Sequence, residues 1–210
     1  MILFKKKKLL KKIIIYELII FDLDNTIFNL KYFDIEAISQ VSDYLSNKIK
    51  IPKQKIFKIL YKNKNNEIKK NLKLDIFNSL LIDHNIDNIE KITKNCVKIY
   101  QNYIMKKITF NKTLLDEIKH LYEKKKKLYL VTNGNHKRQL NKIKSLKITK
   151  YFKYIYILDD EKKMKPSILS VRKLKQLCGQ KNSVMVGDSI TDKKFASNLS
   201  VDYIRFINDF

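Results

Sequence analysis

The chain has 210 residues, 44% hydrophobic and 31% charged, a balance too apolar for a disordered chain and ordinary for a folded one. Its 45 basic and 21 acidic residues give a formal net charge of +24, which raises nucleic acid or an anionic membrane as a partner. No uninterrupted apolar run approaches the roughly 20 residues of a membrane-spanning helix, and two cysteines without metal-ligand spacing, Cys96 and Cys178, fit a reduced cytoplasmic setting better than a disulfide framework.

The kind of base that supplies the charge matters. Arginine, the favoured reader of phosphates and bases, occurs only at Arg138, Arg172 and Arg205, so 42 of the 45 bases are Lys. Abundant Lys, Asn, Ile, Tyr and Phe, with three Gly, two Pro and no Trp, is the residue set of an A+T-rich genome. Coding bias on solvated faces therefore explains the charge better than a nucleic-acid surface, and no specific nucleic-acid partner is expected.

Residues 1–12, M-I-L-F-K-K-K-K-L-L-K-K, read as a basic N-terminal extension without an obvious core role. A short amphipathic helix touching anionic lipid is the alternative. Next, Ile19 to Thr26 reads I-I-F-D-L-D-N-T, an apolar run ending in two aspartates one residue apart. That pattern predicts a buried strand delivering Asp22 and Asp24 into a crevice at its C-terminal end. In extended backbone both carboxylates point to one side, and a hard cation such as Mg²⁺ relieves their repulsion. The same string also fits a strand followed by an ordinary Asp-Asn turn.

From residue 29 to 109 apolar residues recur at threes and fours. Ile35, Ile38, Val41 and Leu45 form one stripe, and Ile86, Ile89, Ile92, Cys96, Ile99 and Tyr103 another. Pro52 suits the first turn of a helix carrying Ile56, Ile59 and Leu60, and the Asn- and Lys-rich stretch Asn63 to Asn66 reads as a break between helices. About 80 residues without a convincing strand predict an inserted all-helical domain at 29–109, between core segments 13–28 and 110–210.

The second core segment alternates. A helix over 112–124 leads to a strand ending at Thr132 in V-T-N-G, then a helix over 136–146 and a strand over 154–158. Lys165-Pro166 falls in a loop before a helix over 167–177. A strand over 183–186 then runs into G-D-S-I-T-D, and a last strand spans 201–206. Strands that alternate with helices require crossovers, which predicts an α/β fold with a parallel sheet covered on both faces. Of only three glycines, Gly134 and Gly187 lie beside polar strand ends, and Pro166 adjoins Lys165.

D-L-D-N-T, the strand-end Thr132, Lys165 in M-K-P-S, and Asp188 with Asp192 in V-G-D-S-I-T-D occur in the order of the four motifs of the haloacid dehalogenase superfamily, which the chain resembles. The resemblance implies a Rossmann-like core and a helical cap inserted after the first motif. It also implies Mg²⁺-dependent phosphatase chemistry on a small phosphomonoester such as a sugar phosphate, a nucleotide, or a phosphorylated acid or amino alcohol. Asp22 would be the nucleophile that forms an aspartyl-phosphate, and Asp24 the general acid and base. Thr132, with backbone N–H groups at Asn133 and Gly134, and Lys165 would hold the phosphoryl group. Asp22, the Asp24 carbonyl and Asp188 would bind Mg²⁺, with Asp192 behind them. Phe28, Asn29, Tyr32 and Phe33, where the chain leaves the core for the cap, are candidates for substrate contacts, although a helical aromatic there is more often packed within the cap. A phosphomutase shares these motifs; a nucleic-acid-binding protein would need none of them.

Overall fold

The computed structural model describes residues 9–70, 76–84, 86–108 and 112–206. Five parallel strands, β1 (Leu18–Phe21), β2 (Lys127–Asn133), β3 (Tyr154–Leu158), β4 (Ser183–Gly187) and β5 (Asp202–Arg205), form one sheet in the order β3-β2-β1-β4-β5. Every residue of β1 and β4 is buried, which is why these strands read as unbroken apolar runs rather than alternating ones. After β3 the chain crosses back to the far side of β1. This reversal of winding direction opens a crevice beyond the carboxyl ends of β1 and β4.

The core segment also carries α5 (Lys112–Glu123), α6 (His136–Ser145), α7 (Arg172–Cys178) and α8 (Ile190–Leu199). One face of the sheet, built from Leu18, Ile20, Tyr129, Val131 and Met185, packs with Leu174 and Cys178 of α7 and Phe195 and Leu199 of α8. Alternation along the strands sends Ile19, Phe21, Leu128, Leu130, Val184 and Val186, all buried, to the other face. The helix predicted over 167–177 begins five residues late, at Arg172. A short 3₁₀ turn over Leu169–Val171 precedes it, where the Ser167 hydroxyl accepts from the Leu169 N–H at 3.3 Å.

Both cysteines are buried and neither is in a disulfide, and burial pushes the Cys178 thiol up to about 11, away from the reactive thiolate. Of the extension at 1–12, residues 1–8 lie outside the described residues. Residues 9–12 are helical and Leu9 is buried, so this stretch does more than fray.

Helix α5 packs against β2 and buries Leu114, Ile118 and Leu121, spaced four and three apart. Glu117 falls on the same stripe. Burial pushes its carboxyl up to about 7. Between its ordinary value and that one, the folded chain holds a proton that the unfolded chain has released, so this residue's contribution to stability falls as pH rises through the window. Glu117→Gln is expected to raise stability at pH 8 by on the order of 1–3 kcal/mol. At pH 4 the two melting temperatures should coincide; an equal gain at both pH values would contradict this account.

The chain divides into two compact units, Met1–Asn29 with Ile108–Phe210, and Leu30–Lys107. The second is wholly helical where described: α1 (Leu30–Ile49), α2 (Lys53–Lys70), α3 (Ile76–Asp83) and α4 (Ile89–Lys107). Ile38, Val41 and Leu45 of α1, Ile56 and Leu60 of α2, Leu80 and Leu81 of α3 and Cys96 of α4 share one buried cluster. Tyr100 and Tyr103 of α4 donate hydrogen bonds to Asp34 and Glu36 of α1.

Two expectations fail in this unit. Asn63 to Asn66 is not a break, because α2 runs through it to Lys70. Asn and Lys cost a helix only tenths of a kcal/mol each, so a polar run need not interrupt one. Ile35 also leaves its stripe and is 42% exposed, while Phe33 and Ala37 take the buried face. Pro52 starts α2 as expected, its carbonyl accepting from the Lys55 and Ile56 N–H groups at 2.9 and 3.2 Å.

Candidate active site

Strand register brings the predicted residues together. Phe21 lies opposite Leu130 of β2 and Val186 of β4, so Asp22, one residue on, is level with the strand ends that carry Thr132 and Asp188. The Asp22 N–H still donates to the Val186 carbonyl at 3.0 Å, which fixes the backbone from which its carboxylate projects. The chain then turns. Asn25 takes a left-handed conformation, φ 61°, which Asn tolerates, and the Ile27 and Phe28 N–H groups both return to the Leu23 carbonyl at 2.9 Å.

Lys165 is the only cation inside this cluster among the described residues. Its ammonium lies 2.5 Å from Asp22 Oδ1 and 2.6 Å from Asp192 Oδ1, and all three side chains are buried. Burial pushes the Asp22 carboxyl above the carboxylate range, while the Lys165 charge pulls against it. Burial likewise works against the Lys165 ammonium, but the two aspartates outweigh it and hold its pKa above the ordinary lysine value. Asp188, beside Asp192, is pushed up to about 6, chiefly by burial.

Asp22, Asp188 and Asp192 each offer an oxygen within 4.8 Å of the others. Three carboxylates against one ammonium leave an excess of negative charge, and hard oxygen donors of this kind suit Mg²⁺. The residues therefore fit the cation. Asp192 stands behind the other two, because Oδ1 takes Lys165 while Oδ2 accepts from the Ser189 hydroxyl at 2.6 Å and the Ser189 N–H at 3.2 Å. The Asp192 N–H in turn donates to the Ser189 hydroxyl oxygen at 3.1 Å, closing a capping box that starts α8. The Asp24 side chain is not a member of the cluster.

Gly187 is required by this packing. A Cβ there would come within 2.6 Å of Asp192 Cγ and Oδ2, and Asp192 cannot yield because its oxygens are bound on both sides. Gly187→Ala is expected to cost on the order of 1–3 kcal/mol by displacing Asp192. Thermal melting checks this; an unchanged melting temperature would contradict it.

The expectation that Asp22 and Asp24 share one cation through facing carboxylates is corrected. Each has its own lysine. The Asp24 oxygens lie 2.7 and 2.9 Å from Lys142 Nζ, and Oδ2 also accepts from Gln139 Nε2 at 2.9 Å. The strand ends at Phe21, so the two-residue alternation no longer governs position 24.

Thr132 is buried, and its Oγ1 accepts from Gln139 Nε2 at 2.8 Å. Asn133 acts through its side chain: Oδ1 accepts from the Lys165 N–H at 2.8 Å and Nδ2 donates to the Lys165 carbonyl at 3.0 Å, clamping the lysine loop. Gly134 departs from expectation, since its N–H donates to the Leu158 carbonyl at 2.9 Å and is taken out of the phosphate-binding role. The β2–β3 pairing reaches Asn133↔Leu158, one residue further than the predicted end of β2, and Gly134 continues toward that edge.

Gln139 and Lys142 were not legible as site residues. Their signal was spacing alone, two long polar side chains three apart on a helix just after V-T-N-G.

A doubly wound parallel sheet with an acidic cluster and one buried lysine at its switch point defines an α/β enzyme. The sequence matches the family of haloacid dehalogenase-like hydrolases over residues 19–206, and the chain belongs to that family. Solved structures agree in fold. The HAD-hydrolase YfnB from Bacillus subtilis, bound to magnesium, is similar at a TM-score of 0.65 and 19% identity, over 91% of this chain and 86% of that one. A Thermotoga maritima protein described as a β-phosphoglucomutase is similar at 0.64 and 18%, over 92% and 88%. The 2-haloacid dehalogenase from Pseudomonas syringae pv. Tomato is similar at 0.61 and 16%, over 90% and 86%. No curated protein sequence matches.

Proposed function

We propose that this hydrolase is a phosphatase that cleaves a small phosphomonoester through a phosphoryl group carried on Asp22. One observation carries the reading: a buried carboxylate, Asp22, is oriented by Lys165 through Oδ1, with a second carboxylate, Asp24, two residues on. Asp22 Oδ2 attacks phosphorus, and Asp24 gives a proton to the departing ester oxygen. Asp24 then takes a proton from the water that attacks the aspartyl-phosphate, and inorganic phosphate leaves. Lys165 and the Thr132 hydroxyl hold phosphoryl oxygens. Asp22, Asp188 and the Asp24 carbonyl would hold Mg²⁺, which when bound offsets charge between carboxylates and phosphate.

Asp24 favours this reading over dehalogenation. A departing halide needs no proton, so the acid step of Asp24 has work only when the leaving group is an alkoxide, whereas its base step toward water would serve either reaction. A phosphomutase uses the same groups, and similarity to the Thermotoga protein described as a β-phosphoglucomutase favours it as the second reading.

The test is phosphate release from a panel of sugar phosphates, nucleotides, and phosphorylated acids and amino alcohols, with and without EDTA. Release from a narrow group, lost with EDTA, is expected. No release by folded protein would shift weight to the mutase reading or to nucleic-acid binding, which salt-dependent affinity would reveal. Independently of turnover, Mg²⁺ is expected to raise the melting temperature, and Asp188→Asn to remove that shift. A shift of the same size in the variant would contradict the ligand assignment.

A further inference from the structure

We propose that Gln139 and Lys142 are positioning residues that fix Asp24 for its acid and base steps, and that they tie it to the phosphate-binding Thr132. This rests on the phosphatase reading above. Both lie on one face of α6, whose N-terminus is set by Asn135 accepting from the Arg138 N–H at 3.2 Å.

Gln139 is buried at 3% exposure, and its Nε2 reaches three acceptors: Asp24 Oδ2 at 2.9 Å, Thr132 Oγ1 at 2.8 Å and the Asn133 carbonyl at 2.9 Å. Three acceptors around one amide nitrogen fix its orientation, because a turned amide would bring its oxygen against a carboxylate and a carbonyl. Since Gln139 donates to Thr132, the threonine oxygen is the acceptor there, and its own proton meets only the Asn133 carbonyl at a long 3.5 Å, a bond that a phosphoryl oxygen could replace. Gly134 is called for by its backbone, φ +130°, rather than by space, since a Cβ there would be in ordinary van der Waals contact with the Gln139 side chain at 3.4 to 3.5 Å.

Lys142 holds the other side. Its ammonium spans both Asp24 oxygens at 2.7 and 2.9 Å, with only 11% of its side chain exposed, and it stands 5.9 Å from the centre of the Phe28 ring. A carboxylate held at both oxygens by a lysine and an amide has one orientation. The carboxylate held this way is the base that takes the proton from water; carrying that proton, with Lys142 and Gln139 on its bare oxygen, it becomes the acid for the next leaving oxygen, and both steps depend on the alignment.

A purely structural ion pair would look similar in the folded protein, so the test reads the chemistry. Lys142→Met is assayed against an alkyl phosphate, whose leaving group needs a proton, and p-nitrophenyl phosphate, whose leaving group needs little help. The variant is expected to lose kcat at least about tenfold more on the alkyl ester than on the aryl ester, with KM little changed, and Lys142→Arg to recover part of it. Gln139→Leu is expected to raise KM as well, through Thr132. Equal losses on both esters would overturn the inference alone and leave the pair a stabilising contact. No phosphate from wild-type protein with either ester or with any member of the wider panel would overturn the phosphatase reading and this inference with it.

Discussion

Asp22→Asn is expected to lower turnover by at least about 10⁴-fold, the scale on which an enzyme loses its covalent nucleophile. The substitution is nearly isosteric and keeps an oxygen facing Lys165, which retains its bond to Asp192 at 2.6 Å. Burial already disfavours the charge at position 22, so removing that charge should leave the melting temperature unchanged or slightly higher. Loss of turnover without loss of stability is the signature of a chemical role. Retained activity in pure protein would exclude Asp22 as nucleophile.

Lys165→Met is expected to be the most destabilising single change at the site. It leaves Asp22 and Asp192 buried side by side without their cation, a loss of roughly 3–5 kcal/mol by analogy with other broken buried pairs. The pKa of Lys165 lies above its ordinary value of 10.5, so its stabilising contribution is fully present at neutral pH and would be lost only in more alkaline solution, as pH rises through the folded value. In the variant, Asp22 can take up a proton as pH falls. The deficit in unfolding free energy should therefore be smaller at pH 5 than at pH 8, read by denaturant melts at both. A deficit that grows toward acid would contradict the assigned pairing. Turnover should fall as well, on the order of 10²-fold or more, if Lys165 both orients Asp22 and holds the phosphate as proposed.

Much of the architecture was legible because the physics was local. Strands β1 and β4 are buried on both faces, so their apolar runs ending in Asp22 and Asp188 marked both the element and the site. The strand Tyr154–Leu158 fell where its apolar residues placed it. Compositional punctuation failed where composition itself is biased, as when α2 carried its helix through Asn63 to Asn66. Side-chain partnership was the least legible. Nothing in D-L-D-N-T says that Asp24 turns to a lysine 118 residues later, nor that the Asn133 amide clamps the Lys165 backbone. Those bonds depend on which strand ends the sheet sets side by side. The Gly134 N–H was misassigned for the same reason, because its partner, the Leu158 carbonyl, belongs to a neighbouring strand.

Membership in a family that includes dehalogenases and phosphatases leaves the reaction to the residues. No helix among the described residues is long and apolar enough to cross a membrane.

The central claim is that phosphate passes through Asp22. The most direct measurement is a rapid acid quench during turnover of the best ester found, followed by mass spectrometry of the peptide that carries Asp22. A mass increase of one phosphoryl group on Asp22, absent from Asp22→Asn and gone once substrate is exhausted, is the predicted result. A phosphoryl group on another residue, or phosphate release in Asp22→Asn at the wild-type rate, would contradict it.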